Sequence, residues 1–211
     1  MKKIIISALF LSSAITFFAQ TNLITDGGFE LLKAGTKSYI TLSSGKATGM
    51  SGKWQLTFAK GGCPEGCCEG TSEIVNTDKK SGENSIKISI NKQTNRNDIK
   101  LLQSIKSVPA GVYEITFWAK SDMAECLLAL DVFMSTQAST NNGKDPFTGN
   151  FVSSTDWKQY KLKVDISAWT DEERNEMRIS IRPNTTKALP AGPFPKTFWI
   201  DDLTFTQLSA K

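Results

Sequence analysis

No histidine occurs among the 211 residues. Its absence removes the most common general base and the most common metal-ligating side chain. The chain also lacks a G-x-S-x-G nucleophile motif, an internal repeat and a Ser/Pro-rich linker that would divide it. Charge of one sign is only slightly in excess: 25 Lys and Arg stand against 21 Asp and Glu, a formal net charge of +4. A nucleic-acid partner therefore gains no electrostatic support. Cysteine is limited to four residues, and signals for long helices are missing.

What is present begins with Met1-Lys2-Lys3, followed by an apolar run from Ile4 to Ala19. A basic start, a short apolar core and a small-residue end make a secretory signal peptide, and the run is too short for a membrane span. Cleavage is expected after Ala19, although Phe17 is bulky for its position before the cut. No Cys lies near that site, so a lipid anchor is not suggested. The mature protein is expected to be secreted, extracellular or periplasmic, and a monomer. Loss of Lys2 and Lys3 lowers the net charge from +4 to +2. About 190 residues remain, enough for one well-buried domain over 20–211.

In an exported chain, Cys63, Cys67, Cys68 and Cys126 read as disulfide partners. Three pairings are possible. The favoured one closes a local loop from Cys63 to Cys67 or Cys68 and ties the remaining cysteine of that loop to Cys126. A zinc site is the alternative, weakened by the lack of His and of a second ligand pair.

Most of the mature sequence alternates apolar and polar residues, the pattern of half-buried strands. Ser85 to Asn91 places Ile86, Ile88 and Ile90 on one face. Val112 to Lys120 places Tyr113, Ile115 and Phe117 on a core face, and Tyr160 to Ile166 and Met177 to Arg182 repeat the pattern. Cys126 to Met134 is apolar on both faces and reads as a central strand. Shorter candidates are Asn22 to Ile24, Phe29 to Leu32, Tyr39 to Leu42, Trp54 to Phe58, Glu73 to Asn76 and Ile99 to Ser104. Two long loops are expected, from Ser135 to Asn150 and from Pro183 to Pro195. The only helical hint is a capping box at Thr170. Many strands without alternating helices predict an all-β antiparallel sandwich or jelly roll.

Phe198 to Phe205 is the most unusual strand, because Asp201 and Asp202 interrupt an aromatic and β-branched run. The apolar parity slips at the pair, which predicts a β-bulge. Buried carboxylates there need Arg, Lys, backbone donors or a cation.

Five segments, in order, resemble the jelly-roll carbohydrate-binding modules of families 4, 9, 16 and 22. They are Asn22 to Glu30, Ser81 to Ile88, Val108 to Ser121, Trp157 to Tyr160, and Trp199 to Leu203. The resemblance implies a galactose-binding-like fold, a carbohydrate ligand and no catalysis. It also implies a structural calcium ligated by Glu30 and Asp202, with Asp201 a further candidate. The Cys63–Cys68 loop and the stretch Lys33 to Ser51 depart from the family pattern.

Sugar recognition needs flat rings and planar polar groups. Trp118, opposite the core face of its strand, is a candidate platform, and it would equally serve a second packed layer. Phe147 sits in a polar loop, and Arg178 and Arg182 lie on the polar face of their strand. Trp54 is a further candidate, although it shares a face with Leu56 and Phe58 as a core residue would. Trp157 and Tyr160 read as core, and Trp169 as a loop anchor. One alternative is a structural or adhesin-like interaction module, favoured if these rings are buried under loops rather than lining one groove with the arginines. The other is a jelly-roll hydrolase or lyase, for which Glu114 and Asp131 are strand acids opposite the core.

Overall fold

The computed structural model describes residues 21–40, 54–57, 68–93, 99–134, 147–183 and 194–210. Eleven strands and one short helix are formed within them. The strands are β1 (Lys37–Ile40), β2 (Trp54–Thr57), β3 (Cys68–Val75), β4 (Ser85–Gln93), β5 (Lys100–Ile105) and β6 (Gly111–Ser121). There follow β7 (Leu127–Met134), β8 (Phe147–Val152), β9 (Lys158–Asp165), α1 (Asp171–Asn175), β10 (Met177–Pro183) and β11 (Lys196–Ala210). They make two antiparallel sheets, ordered β1-β3-β4-β11-β6-β9 and β2-β5-β10-β7-β8. The molecule is an antiparallel β-sandwich of the jelly-roll kind. Among the described residues no helix is long and apolar enough to cross a membrane.

The alternation read from the sequence decides which side of each strand faces the other sheet. Ile86, Ile88 and Ile90 of β4, Tyr113, Ile115 and Phe117 of β6, and Phe198 and Ile200 of β11 are all fully buried. Leu101 of β5, Leu128, Leu130 and Val132 of β7, and Ile179 and Ile181 of β10 meet them from the second sheet. The core therefore lies between the sheets, and each sheet turns its other face outward. Trp54 is in this core, 1% exposed. Its ring lies 5.5 Å from that of Phe29, and its Nε1–H donates to the Asp26 carbonyl at 2.8 Å.

Several expectations are corrected. Phe29 to Leu32 is a turn, not a strand, because Asp26 and Phe29 take left-handed φ values of 55° and 59°. Asn22 to Ile24 contributes only an isolated bridge, Asn22 to Thr206. The end of the expected loop at Ser135–Asn150 is instead the start of β8, because Phe147, Gly149 and Phe151 alternate inward while Thr148, Asn150 and Val152 are exposed. Trp157 is half-buried outside the core, whereas Tyr160 stacks on Phe117 inside it. Phe147 stacks on Trp169 at 5.8 Å and packs against the core.

The expected disulfide to Cys126 is also corrected. Cys126 is a free thiol, 6% exposed and packed in the core. There it behaves as a small hydrophobe. Burial pushes its thiol upward, opposed by Lys196 and a hydrogen bond with Ser153. Cys63, Cys67 and the side chain of Cys68 lie outside the described residues, as do residues 1–20 with the expected leader.

Helix α1 starts where the sequence placed it. The Thr170 hydroxyl accepts from the Glu173 N–H at 3.2 Å, and the Glu173 carboxylate accepts from the Thr170 N–H at 2.7 Å. This reciprocal pair satisfies donors that a helix start otherwise leaves open.

Candidate functional site

Three regions concentrate polar chemistry: the bulge in β11 and the outward face of each sheet. The bulge lies between Asp201 and Thr204, with Asp202 at φ 50°. Asp201 is fully buried and accepts three backbone N–H bonds, from Lys80 (2.9 Å), Ser81 (3.2 Å) and Asp202 (2.8 Å). Asp202 accepts from the Ser81 hydroxyl at 2.7 Å. Glu30 accepts from the backbone N–H groups of Glu83 (2.9 Å) and Asn84 (3.3 Å) and from the Asn84 amide. All three carboxylates are thus gathered by one segment, residues 80–84. The clasp between the start of the described chain and β11 runs through that segment. Backbone donors are the partners that Asp201 finds, yet desolvation still lifts its carboxyl from 3.8 to about 6, with the Asp202 charge adding to the rise.

Among the described residues no three acidic or cysteine side chains converge on one metal-sized point. Glu30 and Asp201 nevertheless border one small space: a Cβ added at Gly28 would lie 3.7 Å from Glu30 Oε1 and 3.8 Å from Asp201 Oδ1. A hollow of about 430 Å³ lies nearby, lined by residues that include Glu30, Lys79, Glu83 and Asn84. No aromatic ring lines it, so it offers no stacking surface for a sugar.

The outward face of the six-stranded sheet carries Trp118, Trp199 and the nearby Trp157, all half-buried. Lysines occupy the ring faces. Lys80 Nζ sits 4.1 Å from the Trp118 ring centre, Lys120 5.0 Å from Trp199 and 5.8 Å from Trp157, and Lys87 5.9 Å from Trp199. Lys120 also pairs with Asp78 at 2.6 Å. Such contacts are favourable for the cation and cover part of the ring. Trp118 is therefore positioned on an outward face, as its strand parity requires, but under Lys80.

The outward face of the five-stranded sheet is different. One row runs across all five strands: Gln55, Leu102, Ser180, Asp131 and Thr148. Its middle is out of solvent, with Leu102, Ser180 and Asp131 at 5%, 0% and 6% exposure, while Gln55 and Thr148 at its ends are exposed. Asp131 is fully engaged. It receives Arg182 Nε at 2.5 Å and Arg182 Nη2 at 2.8 Å, the Thr148 hydroxyl at 2.9 Å and the Ser180 hydroxyl at 3.3 Å. A bidentate guanidinium pair of this kind is strongly directional.

Two further rows flank this floor. On one side, Arg178 lies between Ser104 and Phe133. Its Nε is buried without a hydrogen-bond partner. On the other side, Lys100 stands beside Arg182, and its amine is lowered by burial first and by the Arg182 charge second. Phe133 is half-buried and points outward, opposite the core residue Val132.

Of the residues expected to touch sugar, the structure brings together Arg178 and Arg182. Trp118 is on the other sheet, Phe147 turns toward the core side, and Trp54 is enclosed. Trp118, Phe147 and the arginines, whose sharing of one groove would have favoured sugar over a structural role, do not line one groove. The sequence reading missed Phe133, Lys100, Ser180 and Thr148 as members of this face, and it named Asp131 only as a possible acid. One signal was available: β7 is apolar on both faces although one of them points outward.

Comparison with known proteins adds the fold's company. Over 89% of this chain and 99% of its own, TmCBM61, solved in complex with β-1,4-galactotriose, superposes with a TM-score of 0.53 at 17% identity. The CBM22-1 xylan-binding domain from Paenibacillus barcinonensis Xyn10C matches with a TM-score of 0.50 at 13% identity, covering 85% and 99%. The fold is that of the jelly-roll carbohydrate-binding modules. The same sandwich also matches the enzymatically active domain of bacteriophage CBA120 tailspike protein 4, with a TM-score of 0.54 at 14% identity. That match covers 89% of this chain and 21% of the tailspike chain. No family model and no curated protein matches the sequence. At these identities the likeness speaks for the fold, and the site has to speak for the function.

Proposed function

We propose that this protein is a secreted, non-catalytic carbohydrate-binding protein whose site is the outward face of the five-stranded sheet. The observation that carries this reading is the polar floor Ser180-Asp131-Arg182, held out of solvent on a face that has no second sheet to pack on. Around it stand an aromatic ring, Phe133, and unspent donors on Arg178. A sugar needs an apolar surface for its ring and a few fixed polar groups for its hydroxyls. Aromatic stacking thus moves from Trp118 to Phe133. The likeness to carbohydrate-binding modules supports the same reading at the level of fold.

Geometry also favours binding over hydrolysis. Glu114 and Asp131 lie on the outward faces of opposite sheets, so they cannot flank one glycosidic bond. Asp131 has its acceptor capacity filled by four donors, which leaves no lone pair free to face a substrate.

A structural calcium at Glu30 and Asp201, with Asp202 beside them, belongs to the same proposal. Its support is a fully buried carboxylate without an ion-pair partner among the described residues, next to a second carboxylate. Carbonyl and water oxygens would complete the six to eight ligands that calcium takes. When bound, the ion would neutralise the clasp. Its test is thermal: added calcium raises the melting temperature and a chelator lowers it, and no shift either way removes the ion from the account.

The function is tested by a glycan array with three proteins. Wild type and Trp118→Ala are expected to bind the same glycans, while Phe133→Ala loses most of the signal. Binding lost in Trp118→Ala and kept in Phe133→Ala would move the site to the other sheet. No glycan bound by the wild type would sink the reading.

A further inference from the structure

The charges on the five-stranded face are not balanced. Among the described residues its outward side carries three cations, Lys100, Arg178 and Arg182, and one carboxylate, Asp131. That carboxylate is already held by Arg182 in a two-point pair. Among the described residues, the row containing Arg178 holds Ser104 and Phe133 and no acid. A guanidinium has five N–H donors and stays charged. Arg178 has a buried Nε without an acceptor and makes no ion pair with any described residue. A buried donor left unmet costs free energy in the empty protein, and the guanidinium that carries it has no anionic partner among the described residues.

The two cationic ends are also set apart. Arg178 and Arg182 are four residues apart on β10, and residues at i and i+4 lie on one face about 13 Å apart. Lys100 adjoins the Arg182 end, where burial and, after it, the Arg182 charge lower its amine. Between the two ends lie the Ser180 hydroxyl, the Asp131 carboxylate and, beside Arg178, the Phe133 ring. A neutral sugar would leave the excess charge unanswered. A single acidic monosaccharide would answer one end only.

Resting on the carbohydrate-binding reading of this face, we propose that its ligand is an anionic oligosaccharide. It bears carboxylate or sulfate groups on more than one residue, with one such group received by Arg178 and another by Lys100 beside Arg182. Planar carboxylate and sulfate oxygens suit the fork of a guanidinium. Phe133 supplies the contact to the sugar ring between the charges, so the face distinguishes a charged glycan from a simple polyanion.

The test is calorimetric titration of the full protein with four probes: oligogalacturonate, a sulfated galactan oligosaccharide, neutral β-1,4-galacto-oligosaccharide and neutral xylo-oligosaccharide. The expected result is binding of at least one charged probe about tenfold tighter than either neutral probe. That advantage shrinks when salt is raised from about 0.05 to about 0.5 M. Arg178→Gln loses about tenfold for the charged probe and a clearly smaller factor for a neutral one, which gives up a hydroxyl contact but no charge pairing, while Arg178→Lys recovers part of the loss for the charged probe. Unchanged melting temperatures of both variants show that they fold. The ratio between uronate and sulfate tells which anion the site takes. Neutral probes bound as tightly as charged ones would overturn this inference and leave carbohydrate binding standing. Charged probes bound equally by wild type, Arg178→Gln and Phe133→Ala would reveal polyanion attraction only, and would overturn it too. No binding of any probe would remove both.

Discussion

The two outward faces of this sandwich use the same ingredients, aromatic rings and cations, to opposite effect. On the six-stranded sheet, lysine amines lie over tryptophan rings, and Lys120 also has Asp78 as a counter-ion. On the five-stranded sheet, the cations lie on strands beside one phenylalanine, and one guanidinium nitrogen remains buried and unpaired. A face that answers its own charges offers a ligand little, and a face that leaves a donor unanswered keeps one polar group in want of a partner. The difference follows from placement. Lys80 and Lys120 reach tryptophan rings on their own face, whereas Arg178 lies between Ser104 and Phe133 with no acceptor for its Nε.

The sharpest way to break this contrast is at Asp131. Asp131→Ala leaves the Arg182 guanidinium and the Ser180 hydroxyl without their acceptor at a nearly buried site. A loss of about 3–5 kcal/mol is expected, as for breaking a buried ion pair from one side, read as a lower urea midpoint. Arg178→Gln, in the neighbouring outward row of the same sheet, should leave that midpoint unchanged. If both variants were equally destabilised, the separation of a structural pair from a ligand-facing arginine would fail.

The clasp gives the next effect. Gly82 has φ 57°, and a Cβ there would lie 2.0 Å from Glu30 Oε1. Gly82→Ala should therefore cost more than about 1 kcal/mol and lower the melting temperature, because Glu30 must release the Glu83 and Asn84 N–H groups. A neutral result would show that residues 80–84 adjust freely.

The same region sets a pH dependence. The folded Asp201 carboxyl titrates near about 6, above its ordinary 3.8, so the folded state holds the proton more tightly than the unfolded one. Its contribution to stability is therefore greatest below 3.8 and is lost as pH rises toward about 6. In chelator, the stability difference between wild type and Asp201→Asn should drift against the wild type across that window. Calcium, if bound, should flatten the drift by favouring the ionised form.

The smallest effect belongs to the closed face. Lys80→Ala removes the amine over Trp118, and about 0.5–1 kcal/mol is expected for an exposed cation–π contact. Tryptophan fluorescence should report greater exposure of the ring. If Lys80→Ala also created glycan binding, the lysine would be acting as a cover and the contrast between the faces would be sharpened.

Much of the fold was legible because it depends on local periodicity. Ile86, Ile88 and Ile90 announce their strand and its buried side, and the parity slip at Asp201 announces the bulge. Thr170 and Glu173 announce a helix start by spacing alone. The site was less legible because its partners are distant in sequence. Arg182 and Asp131 are 51 positions apart, and nothing in either strand names the other. The covering of Trp118 by Lys80 joins a loop to a strand, so no window of sequence contains it. Phe147 misled because its polar surroundings read as a loop, whereas pairing with β7 puts Phe147 and Gly149 inside a strand. Phe29 misled the other way, an aromatic residue in an apparent strand whose backbone turns left-handed instead.

Strand order carries one more consequence. β11, the last strand described, is not an edge; it is inserted between β4 and β6. Until its fifteen residues are available, β4 and β6 each expose an unpaired edge, and the six-stranded sheet cannot close. Folding must then wait for contacts across almost the whole chain, which is slow. A chain emerging during synthesis would thus lack a complete six-stranded sheet until β11 is out. Trimming β11 away should leave a sticky, incomplete sandwich rather than a smaller working protein.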